Sequence, residues 1–211
     1  MQKYLTKAIS FFEIPLDMRS RILVLLAALM IIPSFFTPMW KMTLYSNQFP
    51  EGLRLDIYSY KLDGGKSANQ DDLKEINSLN HYIGMRPLLS EDFTEFKWIP
   101  FVFGGTILLA LRVVIMGKMS KLVDLFVMFS YFGLFSLWSF YYKMYIYGHE
   151  LDSTAAIKVP PFTPPMFGHQ TMANFEVYTY PSTASFFIAG MPVLLLLAMW
   201  FSRKSWLAEK R

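Results

Sequence analysis

The residues best suited to chemistry are histidines and methionines. His81, His149 and His169 are the only histidines in the chain, and they share their segments with Met85, Met166 and Met172. Imidazole with thioether is a donor set for a soft monovalent ion, so the chemistry it offers is copper(I) binding. His81 and Met85 stand four apart and would share a face of a helix. Met166, His169 and Met172 follow at three-residue intervals, with Gly168 permitting a turn. The expected metal set is therefore His81, Met85, His169 and Met172, with His149 as a spare ligand and Asn77, Asn80 and Tyr82 orienting the imidazole. The plainer reading is a group of satisfied structural histidines at the boundary of loop and headgroup.

Other chemistries lack their residues. Without cysteine there is no disulfide, no thiolate zinc or copper site and no covalent c-type haem attachment. The apolar stretches contain no histidine for a b-type haem, and His149-Glu150 has no second histidine to complete a zinc-hydrolase helix. A Gly-x-Ser-x-Gly turn and a Gly-rich phosphate loop are also missing. The chain is read as a non-enzyme.

The elements that must position these donors follow from hydropathy. Hydrophobic residues make up 54% of the chain, aromatics 18%, and they come in blocks. Residues 22–40, 99–116, 122–146 and 184–201 are each close to the ~20 residues that carry a helix across a bilayer core. The reading is an all-α membrane protein, a bundle of four transmembrane helices with a small extracytoplasmic cap. Two loops, 41–97 and 147–183, form that cap, contributing one short helix and short strands.

Charge orients the spans. Residues 1–21, 112–124 and 201–211 carry 11 basic and 4 acidic residues, whereas the remainder carries 9 basic and 12 acidic. The positive-inside rule then puts both termini in the cytoplasm and both long loops outside. This placement accounts for the basic pI without invoking nucleic acid. Residues 1–21 form a cytoplasmic segment, with 1–18 patterned either as an interfacial helix or as a frayed tail. Residues 202–211 form the tail at the other end.

Within the first outer loop, Leu53, Leu55, Ile57 and Tyr58 suggest a strand in 52–62, turned by Asp63-Gly64-Gly65. A helix is expected over 69–83, with Asp71 and Asp72 in its first turn and Leu73, Ile76, Leu79 and Ile83 as its apolar stripe. Gly84 and Pro87 end it, so Met85 either continues the face of His81 or folds back into the cap. In the second loop, Pro160-Pro161 and Pro164-Pro165 predict an extended polyproline rod. Asp124 sits where Lys121 and the helix dipole favour its charge. The outer half of the third span is dense in aromatics from Tyr131 to Tyr147, read as an interfacial belt or as a quinone-binding wall.

Three strings carry a resemblance. Tyr45-Ser-Asn-Gln-Phe-Pro-Glu-Gly-Leu53, Glu75-Ile-Asn-Ser-Leu-Asn-His-Tyr-Ile-Gly-Met85, and Ile157-Lys-Val-Pro-Pro-Phe-Thr-Pro-Pro-Met166 with Ala173-Asn-Phe175 resemble NosB-like four-span membrane proteins. That family is associated with the gene clusters of clade II nitrous oxide reductase. The resemblance spans both outer loops and the topology. It implies an accessory subunit of the bacterial inner membrane, its two long loops periplasmic, working with a periplasmic copper enzyme or its assembly factors by anchoring, maturation or electron delivery, without itself implying copper on this subunit. The alternative is a structural or quinol-contacting subunit of a larger respiratory complex. A third reading has the outer cap docking a partner by shape, through the proline rod and Asn174-Phe175.

Overall fold

The structure is a computed structural model that describes residues 9–67, 70–172 and 174–209. It corrects the all-α expectation. Alongside the helices, the chain builds a five-stranded antiparallel sheet, so the fold is mixed α and β. Contacts divide it into two compact units. One takes the described residues of Met1–Pro33, Phe101–Leu134 and Phe186–Arg211, and the other takes Ser34–Pro100 and Phe135–Ser185.

Among the described residues, four helical segments are long and apolar enough to cross a membrane. The first begins with α1, Met18–Leu29, and continues through a 3₁₀ turn, Ile32–Phe35. The expected first span ran on to Trp40, but Trp40 instead opens a strand. Pro33 and Pro38 are the physical reason, because proline lacks the N–H that continues a helix. Of the expected interfacial helix over 1–18, residues 1–8 lie outside the described residues, 9–12 are helical, and 13–17 are not.

In the first unit, Asp17 caps α1 by accepting the Ser20 N–H at 2.9 Å. Ser202 donates to the same carboxylate at 3.2 Å, and the buried Ser20 hydroxyl donates to the Ala198 carbonyl at 2.7 Å. Ala27, Ala28, Ala110 and Ala198 are buried, so small residues allow the helices to approach closely. The Lys121 ammonium lies 3.1 Å from Asp124, and both side chains are exposed.

The second unit holds the sheet. Its strands are β1 (Trp40–Ser46), β2 (Phe49–Ile57), β3 (Leu62–Gly64), β6 (Gly168–Met172) and β7 (Phe175–Pro181), in the order β3-β2-β1-β7-β6. A separate two-stranded ribbon pairs β4 (Lys66–Ser67) with β5 (Gln70–Asp71). The strand expected in 52–62 thus starts and ends earlier, at Phe49 and Ile57, and Asp63-Gly64 belongs to β3 rather than to a turn. Alternation explains β2: Leu53 and Leu55 are buried, and Arg54 between them is exposed. The helix α2 (Asp72–Tyr82) packs against β2 and β3. Ile76 joins Met42, Leu53, Leu55, Leu62 and Val177 in the core, with Leu73 and Leu79 partly buried beside them.

The remaining helices are α3 (Glu95–Met116), α4 (Met119–His149) and α5 (Thr183–Glu209). Only Gly117 and Lys118 separate α3 from α4, which makes a tight hairpin.

Candidate functional site

The Asn80–Met85 string is a helix terminus of defined geometry. Gly84 has φ +78°, its N–H donates to the His81 carbonyl at 3.2 Å, and the Met85 N–H reaches back to the Asn80 carbonyl at 2.8 Å. This pair of bonds is a Schellman motif, which requires the left-handed residue that glycine supplies most readily. Met85 therefore folds back and packs against the core, while His81 is exposed. Asn77 does not orient an imidazole. Its amide brackets the Leu88 backbone, accepting the N–H at 2.7 Å and donating to the carbonyl at 3.3 Å. Asn80 is buried.

The second loop is laced onto this terminus. The Asp152 N–H donates to the Gly84 carbonyl at 2.8 Å, and the Ile157 N–H to the Tyr82 carbonyl at 2.9 Å. Between them lies an open cleft of about 830 Å³ that includes His81, Met85, Arg86, Glu150 and Asp152. Arg86 and Glu150 pair at 2.7 Å across it, with both side chains more than half exposed. Asp152 accepts from the Thr154 N–H at 2.8 Å and hydroxyl at 2.7 Å. Those two bonds, aided by the charge of His81, hold its carboxyl below the usual range. Sequence reading missed Asp152, although Asp152-Ser-Thr154 is a turn-forming pattern.

The other expected donors lie elsewhere. His169 and Met172 are on β6, where an odd separation places side chains on opposite faces. Met172 packs against the core, whereas His169 is exposed, its ring 4.5 Å from that of Tyr178. Helix α2 packs on β2 and β3 at one edge of the sheet, and β6 forms the other edge. At about 4.8 Å per strand, β3 and β6 are separated by roughly 19 Å. His149, the last residue of α4, stacks on Tyr145 at 3.8 Å and its Nδ1 meets the Tyr145 carbonyl at 3.0 Å. The four-donor copper set is not assembled, and no group of three or more His, Asp or Glu suited to a metal occurs among the described residues.

The structure does assemble a different surface. In the register of β1, β7 and β6, Lys41 faces Tyr180, Thr43 faces Tyr178, Tyr45 faces Glu176 and His169 faces Tyr178. Directly opposed residues share a face, so Tyr45, Tyr178, Tyr180 and His169 form one patch, with Lys41 and Glu176 at its margins. The opposite face carries the core residues Met42 and Val177. Tyr45 meets Tyr178 edge-on at 5.7 Å. Partial desolvation and the neighbouring Glu176 carboxylate push the Tyr178 hydroxyl up from its ordinary range. Alternation in Glu176-Val-Tyr-Thr-Tyr180 is the sequence signal that would have revealed this face.

The proline segment is held to the rest of the chain rather than offered freely. The Phe162 N–H donates to the Gly148 carbonyl at 3.0 Å, and a Cβ at Gly148 would run into the Phe162 carbonyl. Beyond the rod, the Trp40 indole donates to the Met166 carbonyl at 2.9 Å, and its ring packs edge-on against Phe167. Phe175 packs against the core, leaving only Asn174 of that pair exposed. No family model matches this chain, and no curated protein matches it.

Proposed function

We propose that this protein is a membrane-anchored docking subunit, with the tyrosine and histidine face of its sheet as the surface that receives a soluble partner. The observation that carries the reading is the patch of Tyr45, Tyr178, Tyr180 and His169 on the side of the sheet away from the core. Tyrosines offer large, rigid contact area with a polar tip and are enriched where proteins meet. Charge asymmetry supports an outward, periplasmic orientation for this unit, with both termini cytoplasmic. The resemblance to NosB-like proteins supports a periplasmic copper enzyme of the nitrous oxide reductase type as the partner, served by anchoring, maturation or electron delivery. In this reading the metal stays with the partner, since the chain's own donors are spread over separate elements.

The test uses cells whose nitrous oxide reductase operates beside this protein. Loss of nitrous oxide reduction on deletion, restored by wild type but not by Tyr178→Ala/Tyr180→Ala, together with loss of enzyme co-purification in that variant, is the expected result. Full reduction in the deletion strain overturns the accessory role. Undiminished capture of the enzyme by the double variant overturns the assignment of the face.

A further inference from the structure

We infer that two copies of this chain associate side by side in the membrane through α4. The 31 residues of α4 span about 46 Å, against roughly 30 Å of hydrocarbon. A polar cluster marks where the outer edge falls: Ser139 donates to Glu95 at 2.7 Å, and the Lys143 ammonium lies 3.9 Å from the same carboxylate. Residues past this cluster, 144–149, stand beyond the hydrocarbon.

Along this length runs a ladder of rings at Phe135, Trp138, Tyr142, Tyr145 and His149. Their spacing alternates three and four, which is the 3.5-residue period of a helix-pairing seam. Phe135, Trp138, Tyr142 and Tyr145 are exposed by 41%, 58%, 50% and 42%. The rings are already ordered: Trp138 stacks on Tyr142 at 5.6 Å and 7°, and Tyr145 on His149 at 3.8 Å. An aromatic belt alone does not account for it. The headgroup zone is ~5–7 Å deep on each side, whereas the ladder runs about 21 Å along one side of the helix.

The occupant that fits is a second copy. Chains inserted the same way are parallel, so a two-fold axis along the membrane normal brings each ring to its own counterpart. The seam carries no acidic residue and no lysine or arginine that would repel itself, because Lys143 is turned to Glu95 and the Asp92 carbonyl. With Tyr141, also half exposed, five aromatics of 150–250 Å² each offer roughly 500 Å² per copy. Two copies reach the ~1,000 Å² that a specific interface needs. This pairing is independent of the docking face on the sheet.

The absence of cysteine makes the test direct. Single-cysteine variants Trp138→Cys, Tyr142→Cys and Tyr145→Cys, with Leu137→Cys as an exposed position off the seam, are oxidised in native membranes and run without reductant. A doubled mass, several-fold stronger in the seam variants than in Leu137→Cys, is expected. Equal cross-linking at all four positions, no species of doubled mass, or adducts only to a different protein would overturn it. Single-molecule subunit counting of the unmodified protein in lipid vesicles provides a measurement free of substitutions, with two copies per particle expected and one overturning the inference.

Discussion

Replacing Gly84 by alanine tests the joint between α2 and the second loop. At φ +78° an L-residue costs about 1–2 kcal/mol. The added Cβ would sit 2.7 Å from the Asp152 carbonyl oxygen and 2.9 Å from its nitrogen, with the Ala155 Cβ also at 2.9 Å. Two of those neighbours are backbone atoms, which cannot rotate away, so overpacking adds about 1–3 kcal/mol. If the loop lifts off instead, the bonds from Asp152 to Gly84 and from Ile157 to Tyr82 are lost, at about 0.5–1.5 kcal/mol each. Either route gives at least ~1 kcal/mol and a central expectation of about 2–4 kcal/mol for local opening. The assay is hydrogen exchange of the peptides covering 80–87 and 150–157. A destabilisation of 2 kcal/mol speeds exchange there roughly 30-fold. Gly104→Ala is the control, since nothing lies within 4 Å of the position its Cβ would take. Exchange in Gly84→Ala within about threefold of wild type would refute the claim that glycine is required at this cap.

Asp72→Ala removes a buried carboxylate that accepts the Arg54 N–H at 2.9 Å and the Gln70 amide at 2.8 Å. Thermal unfolding should show a loss of about 1–3 kcal/mol, with a smaller loss for Asp72→Asn, which keeps an acceptor. Copper(I) titration in detergent against a competing chelator should show no tight one-equivalent site, because His81 and His169 lie at opposite edges of the sheet. Tight binding abolished by either His81→Ala or His169→Ala would show that the donors meet after all. The depressed Asp152 carboxyl makes the joint acid-sensitive. Its stabilisation is complete above the unfolded value of about 3.9 and is lost as pH falls through the lower folded value. The stability difference between wild type and Asp152→Asn should therefore shrink below about pH 4, measured by exchange of the 150–157 peptide.

Helices satisfy their backbone hydrogen bonds within a few residues, so the sequence by itself determined them well. Four apolar stretches, the hairpin turn at Gly117-Lys118 and the end of α2 at Gly84 all follow from local composition and local bonding. With Asp71 as its cap, α2 starts at Asp72, three residues after the expected start. The sheet was another matter. Strand β1 pairs with β2 next to it, but also with β7, so that Trp40 lies opposite Pro181. A strand's remaining hydrogen bonds go to whichever segment the chain brings alongside, and local pattern does not name that segment.

The candidate site divides in the same way. The sequence presented His81 and Met85, and it left open the two directions Met85 could take; tertiary packing drew Met85 to the core and left His81 outside. Spacing of three beside a turn at Gly168 grouped His169 with Met172, whereas the period of two in β6 set them on opposite faces. Tyr45 and Tyr178 are far apart in the chain, and only the β1–β7 register places their rings together on the face proposed for docking.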